Sequence, residues 1–362
     1  MPSFFNMTFV PVLYLIISRG SVNVDRVNID GTPSSNPLEI ANHFNKFFTA
    51  VGQQISDGVL PVEKNAEDYI NYNRPVPDLL LQNTTAEHVR KTIKNFKPKN
   101  SNDAQGVSTK MIKFIGNEIS IPLAHIFNLS LSMGVFPSKL KLCRVVPIFK
   151  SGNNMECDNY RPISLLSSVS KILEKIVADK LVTHLTSNDL LYVHQYGFLP
   201  KKSTEHNLLH VVNYISNSLN DSNFCIGVFL DLKKAFDVCS HPILLKKLEK
   251  MGVRGTALCW FKNYLAGRSQ YVDINGTKSD ALNLEISVIQ GSILGPILFL
   301  CYINDFYSAT TLFSLLFADD TICLGNGKNL NELTSYVNDE LKKLQIGSDQ
   351  IKWRSIRQKL NL

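Results

Sequence analysis

The sequence predicts an α+β fold, and three observations carry the prediction. Residues 36–133 are dominated by apolar side chains at helical spacing. From Val145 onward, short β-rich runs alternate with helical segments. Two pairs of those runs flank tight-turn signals, at Asn275-Gly276 and at Ala318-Asp319-Asp320, so antiparallel pairing is expected. The 362 residues are 44% hydrophobic and 19% charged, which excludes a wholly disordered or fibrous chain and is enough for a real core.

Residues 1–35 are left as an unassigned leader. Its apolar stretch, Met7–Ile17, is too short to span a bilayer and contains Pro11. No Lys or Arg precedes Arg19, so a secretory signal is not indicated. Residues 36–144 read as a mostly helical extension. Asn36-Pro37-Leu38-Glu39 is a helix start, followed by Ile40, Phe44, Phe47, Phe48, Val51 and Ile55 at helical spacing. Asp57–Asp78, with Pro61, Pro75 and Pro77, is loop-like. Thr84-x-x-Glu87 predicts a capping box opening a helix through Phe96, and Ser108–Met133 predicts a further helix ending at Gly134.

Strands are expected at Val145–Phe149, Phe224–Leu230, Gln270–Ile274, Leu282–Ser287, Leu312–Phe317 and Thr321–Leu324. Helices are expected at Lys171–Leu185, Glu205–Leu219, Ile243–Met251, Thr256–Leu265, Pro296–Asn304 and Asn331–Leu344. None of the seven Cys forms a C-x-x-C pair, so neither a disulfide framework nor a zinc ribbon is indicated. A reducing intracellular setting fits, nucleus and cytoplasm both open. The formal net charge is +7, and it is unevenly spread. Residues 90–150 hold 11 basic and 2 acidic side chains, among them Lys97, Lys99, Lys110, Lys113, Lys141, Arg144 and Lys150. Such a block suits either a polyanion or a solvated helix surface.

Two acidic features stand out. Asp231 ends an apolar strand, and Asp319-Asp320 sits at the tip of an otherwise apolar hairpin. A carboxylate ending a hydrophobic strand is costly unless solvated, paired or metal-bound, and adjacent carboxylates repel. A divalent cation such as Mg²⁺ answers both problems, and two ions about 3.5–4 Å apart can serve an attacking and a leaving oxygen. Acidic pairs are also common in plain surface turns.

Phe317-Ala318-Asp319-Asp320, with Phe229-Leu-Asp-Leu-Lys-Lys-Ala-Phe-Asp237 upstream, resembles the reverse transcriptase family, in its non-LTR (LINE-type, jockey-like) branch. Further segments match in order: Val145–Gly152, Asn159–Leu166, Gln195-Tyr-Gly-Phe198 with Ser203-Thr204, Gln290–Phe299 and Tyr302-Ile-Asn-Asp305. The resemblance covers roughly residues 36–345. It implies a right-hand polymerase in which residues 145–345 form fingers and an antiparallel palm sheet, with a divergent tail at 346–362 and the thumb missing.

The resemblance also implies roles. Asp231, Asp319 and Asp320 match the catalytic, metal-binding carboxylates, with the Leu232 carbonyl as a further ligand of two Mg²⁺ ions (Mn²⁺ being a possible substitute). Lys150, Arg161, Phe236, Gln290 and Gly291 match nucleotide-binding positions, Phe236 being the ring that excludes a 2′-hydroxyl. Lys97, Lys99, Lys110, Lys113, Lys141 and Arg144 are assigned to nucleic acid. The implied partners are an RNA template, a DNA primer and dNTPs, with no membrane. Two other readings stand beside the polymerase: an inactive nucleic-acid-binding remnant, and an RNA-dependent RNA polymerase, against which Phe236 argues. One departure touches the pocket: the family usually has Gly-Val-Pro before the Gln, where this chain has Ser287-Val288-Ile289. Gly and Pro set special backbone dihedrals, so that loop is expected to differ.

Overall fold

The computed structural model describes residues 24–57, 75–232 and 234–350. Most of the leader with Met7–Ile17, residues 58–74 of the Pro-bearing loop, Lys233 and the basic tail from 351 lie outside the described residues.

The first described elements fall inside the expected leader. Val27–Ile29 (β1) and Thr32–Ser34 (β2) pair antiparallel around Asp30-Gly31, both at positive φ. Pro37–Asp57 (α1) follows. Its start is as expected: Asn36 Oδ1 accepts from the Leu38 N–H at 3.0 Å. The next cap sits one residue later than Thr84. Thr85 accepts from the His88 N–H and opens Ala86–Asn95 (α2). Thr84 is tied instead to Asn128, whose Oδ1 accepts from its N–H and whose Nδ2 donates to its carbonyl. The helix expected over Ser108–Met133 is two, Thr109–Phe114 (α3) and Gly116–Met133 (α4), broken at Ile115. Ile93 packs so tightly on Gly116 that a Cβ there would lie 2.9 Å from it. Gly134, at φ 65, ends α4.

Leu142–Phe149 (β3) and Tyr160–Leu165 (β4) pair antiparallel. Ser168–Ser187 (α5) and Thr204–Asn220 (α6) lead to Phe224–Asp231 (β5). His241–Lys250 (α7) and Gly255–Leu265 (α8) precede Arg268–Ile274 (β6). The Asn275-Gly276 turn forms, but the return strand is split into Thr277–Lys278 (β7) and Leu282–Leu284 (β8). The gap docks α1: Asn45 Nδ2 donates to Asp280 O at 2.7 Å and Asn42 Oδ1 accepts from the Asp280 N–H at 2.9 Å. Leu294–Ile303 (α9), Phe313–Phe317 (β9), Asp320–Gly327 (β10) and Leu330–Gln350 (α10) complete the order.

Two larger sheets result, which bears out the α+β class. One is three-stranded in the order β5-β10-β9. The other is five-stranded, β4-β3-β6-β7 with β8 on β6, and in it β3 runs parallel to β6. Ile40, Phe44 and Phe48 of α1 pack on Val145, Tyr160, Val272 and Ile274 of the second sheet. The main core lies between the helices and β5, with Trp260, Phe261, Tyr264, Phe299 and Tyr302 among its buried rings. α9 is apolar on every side, and nine of its ten residues are buried, which fixes it as the core helix. Its end is anchored by a buried cation: Lys247 Nζ donates to Tyr302 O at 2.6 Å and to Asp305 Oδ1 at 2.5 Å. All seven Cys are free thiols, five of them buried. No described helix is long and apolar enough to cross a membrane.

Candidate active site

Strand register assembles the three carboxylates. β10 pairs with β5 so that Asp320 stands directly across from Asp231. β9 pairs with β10 through Phe317 and Asp320, leaving Ala318-Asp319 as a two-residue turn. Ile226, Val228 and Leu230 of β5 turn inward, while Phe229 and Asp231 are exposed on the other face. Asp231 is therefore solvated, while Leu230 and Leu232 beside it are buried. Burial pushes the Asp319 and Asp320 carboxyls above the usual range. The neighbouring acids add to this, Asp320 and Asp231 acting on Asp319 and Asp231 on Asp320.

The two cations come from the other sheet. Arg161 is paired with Ile148, and Lys150, two residues past Ile148, donates its N–H to Asn159 O at 2.8 Å. Strand alternation puts both side chains on one face. Their charges are felt at the carboxylates: Arg161 offsets the rise at Asp319, and Lys150 offsets it at Asp320.

Phe236 stacks on Phe299 at 4.8 Å and meets Phe198 edge-on at 6.2 Å. Its carbonyl accepts from the Val288 N–H at 2.9 Å, which joins it to the Gln290-Gly291 loop. That loop lies against β4. The Ser164 N–H donates to Gln290 O at 3.0 Å, and a Cβ on Gly291, at φ 104, would fall 2.5 Å from Ser164 O. Only Gly fits there. Before Gln290, Ser287 holds φ 120, a left-handed conformation that favours Gly.

Asp237 was given no role from sequence, although it closes the strand motif. Gln290 Nε2 donates to both of its oxygens, at 3.1 and 3.2 Å, and burial pushes its carboxyl up to about 6. No local pattern signals this pair, because its members are 53 residues apart.

The structure divides the six residues assigned to nucleic acid. Lys97, Lys99 and Lys110 are exposed. The other three bond within the fold. Lys113 Nζ donates to Lys94 O and Phe96 O at 2.7 Å, and Lys141 Nζ donates to Ala266 O at 3.0 Å. The Arg144 guanidinium pairs with Asp273 at 3.1 Å and donates to Asn102 O. Carbonyls in the last turn and at the C-cap of a helix lack intrahelical donors, and the two lysines supply them.

A hard divalent cation fits this donor set in kind: three carboxylate groups at adjoining strand ends, two of them raised partly by neighbouring acids. The set is open rather than caged. Among the described residues no three His, Cys, Asp or Glu side chains converge closely enough to hold an ion as they stand.

Comparison with known proteins gives the class. The family model described as reverse transcriptase (RNA-dependent DNA polymerase) matches residues 148–359, more than half of the chain, and the chain belongs to that family. The match runs on past Ile346, where the sequence reading begins a divergent tail. The relatives give the branch, that of non-LTR, LINE-type elements. An RNA-directed DNA polymerase from mobile element jockey of Drosophila melanogaster is 28% identical over 314 residues, covering 84% of this chain and 34% of the relative. A probable RNA-directed DNA polymerase from transposon BS of the same fly is 28% identical over 319 residues, with the same two shares. One from transposon X-element is 32% identical over 195 residues, 54% of this chain and 21% of the relative. The chain thus spans about a third of the length of its jockey and BS relatives.

Proposed function

We propose that the chain is an RNA-directed DNA polymerase that extends a DNA primer along an RNA template with dNTPs. In this reading the three-stranded sheet is the palm, and β3 and β4 belong to the fingers. One observation carries it: register sets Asp231 against Asp320 with Asp319 in the turn beside them, within range of the Lys150 and Arg161 charges.

The reaction joins the primer 3′-oxygen to the α-phosphorus of a dNTP and releases pyrophosphate. Asp231, Asp319, Asp320 and the Leu232 carbonyl would hold two Mg²⁺ ions, which supply charge stabilisation at the attacking and leaving oxygens. Arg161 grips the triphosphate through paired N–H groups, and Lys150 acts as a point charge. Phe236, braced by Phe299 and Phe198, presents a rigid ring against a 2′-hydroxyl. Gln290 and Gly291 line the nucleotide pocket, and Asp237 fixes the Gln290 amide. Catalysis is positioning and electrostatics, so no nucleophilic side chain is required. Lys97, Lys99 and Lys110 offer an exposed basic surface to nucleic acid.

An inactive nucleic-acid-binding remnant is the second reading. Purified chain, a primed RNA template, dNTPs and Mg²⁺ separate the two. The polymerase extends the primer, and EDTA stops it. Salt-sensitive RNA binding without extension establishes the remnant instead.

A further inference from the structure

Gln195 is only 2% exposed, and a buried amide is costly unless its polar atoms are bonded. Its Oε1 accepts two backbone N–H groups, from Gly197 at 2.8 Å and from Ala318 at 3.0 Å. The second belongs to the turn that carries Asp319. The backbone around Gln195 is fastened to the same hairpin. The Tyr196 N–H donates to Leu316 O at 2.8 Å, the Leu316 N–H donates to His194 O at 3.0 Å, and Gln195 bridges Leu316 in parallel. Gly197 then crosses the turn so closely that a Cβ would fall 2.3 Å from the Ala318 nitrogen.

Ala318 is what needs holding. It sits at φ 58, a conformation that L side chains disfavour by about 1–2 kcal/mol and that Gly adopts freely. The two-residue hairpin turn demands that conformation and the residue's own type disfavours it, so a contact from outside the turn helps to hold it. Among its hydrogen bonds, the N–H is met by one atom, the Gln195 amide oxygen.

We propose that Gln195 is a positioning residue for the acidic turn: its buried amide oxygen fixes left-handed Ala318, and thereby sets the directions in which Asp319 and Asp320 leave the hairpin. The proposal deepens the polymerase reading of those carboxylates and rests on it.

The test uses the full chain and three variants. Gln195→Met keeps length and removes the acceptor, Gln195→Asn withdraws it by one methylene, and Gln195→Glu retains an acceptor oxygen. Amide exchange of Ala318 is followed by NMR, Mn²⁺ uptake by water-proton relaxation, and primer extension at saturating and limiting dNTP. The Met and Asn variants are expected to exchange the Ala318 amide about tenfold faster, the loss of one buried hydrogen bond. They should bind Mn²⁺ more weakly, and lose roughly 10- to 100-fold in kcat at unchanged KM for dNTP. The Glu variant should restore slow exchange. Wild-type exchange in a folded Met or Asn variant overturns the proposal, as does a loss confined to KM. If one of these two fails to fold, the other decides. Failure of the wild-type chain to bind Mn²⁺ or extend a primer overturns the polymerase reading instead, and the exchange measurement still decides the Gln195 contact.

Discussion

In the three-stranded sheet β9 and β10 are joined by two residues, and one register sets all three carboxylates. In the five-stranded sheet, β3 pairs in parallel with β6 from Leu142 opposite Ser269 to Val145 opposite Val272, a contact across more than a hundred residues. The Ala318-Asp319 turn is thus locally encoded, but Asp231 joins it from a strand far upstream, whereas Lys150 and Arg161 come from strands β3 and β4 that pair with each other as near neighbours and dock together on β6. A local turn closes at low loop-closure cost, whereas the pairings of β5 with β10 and of β3 with β6 form only once distant segments have met. The acidic turn should respond to mutation in chemistry, and the basic residues bonded within the fold in stability.

The largest effect expected is at the acidic end. Asp319→Asn should lower primer extension on the order of 10³-fold. Its melting temperature should hold or rise, because a mutually repelling charge is removed. Extension unchanged in Asp319→Asn would sink the site assignment. On the cationic side, Arg161→Lys keeps charge but loses the planar fork, and KM for dNTP should rise roughly tenfold with little change for the primer. An equal loss for primer and dNTP would mean that Arg161 contacts nucleic acid rather than the triphosphate.

Asp237 holds the Gln290 amide, and its folded pKa of about 6 lies above the ordinary carboxylate value of 3.8. Between those values the folded chain keeps a proton that the unfolded chain has lost. Stability from this group is therefore greatest below pH ~4 and falls as pH rises to ~6, by at most about 1.4 kcal/mol per unit. Urea midpoints from pH 4 to 7 should show that fall in the wild type and less of it in Asp237→Asn. Parallel curves would remove Asp237 from the account.

Arg144→Met should destabilise by about 1–2 kcal/mol, since it strands the buried Asp273 carboxylate. Lys99→Met should leave stability within about 0.5 kcal/mol and flatten the salt dependence of RNA binding by about 0.7. If the two behave alike, the division between fold-bonded and exposed basic residues fails. The smallest effect is at Ser287, where Ser287→Gly should stabilise by about 1 kcal/mol by relieving φ 120, read as a shift in urea midpoint.

The same contrast explains what the sequence revealed. The hairpin strands, the turn at Ala318-Asp319 and the core helix α9 rest on short-range pattern, and they were legible. Asp30-Gly31 between Val27–Ile29 and Thr32–Ser34 was also a legible hairpin signal, overlooked because the segment read as a leader. β4 was hidden by Pro162, which an edge strand tolerates because one side of it makes no ladder bonds. Pro147 in β3 lies beyond Val145, the last residue paired with β6. The bonded roles of Lys113, Lys141 and Arg144, and the contacts of Gln195 and Asp237, come from residues adjacent only in three dimensions.

The distribution of thiols has a practical consequence. Cys259 on α8 is exposed and Cys225 half-buried, while the other five are enclosed. Burial pushes Cys157 and Cys301 up to about 12 and Cys323 to about 11, so at neutral pH they carry almost no reactive thiolate. A maleimide dye would mark the native molecule chiefly at one place, and each further dye bound would register a part of the interior that has opened.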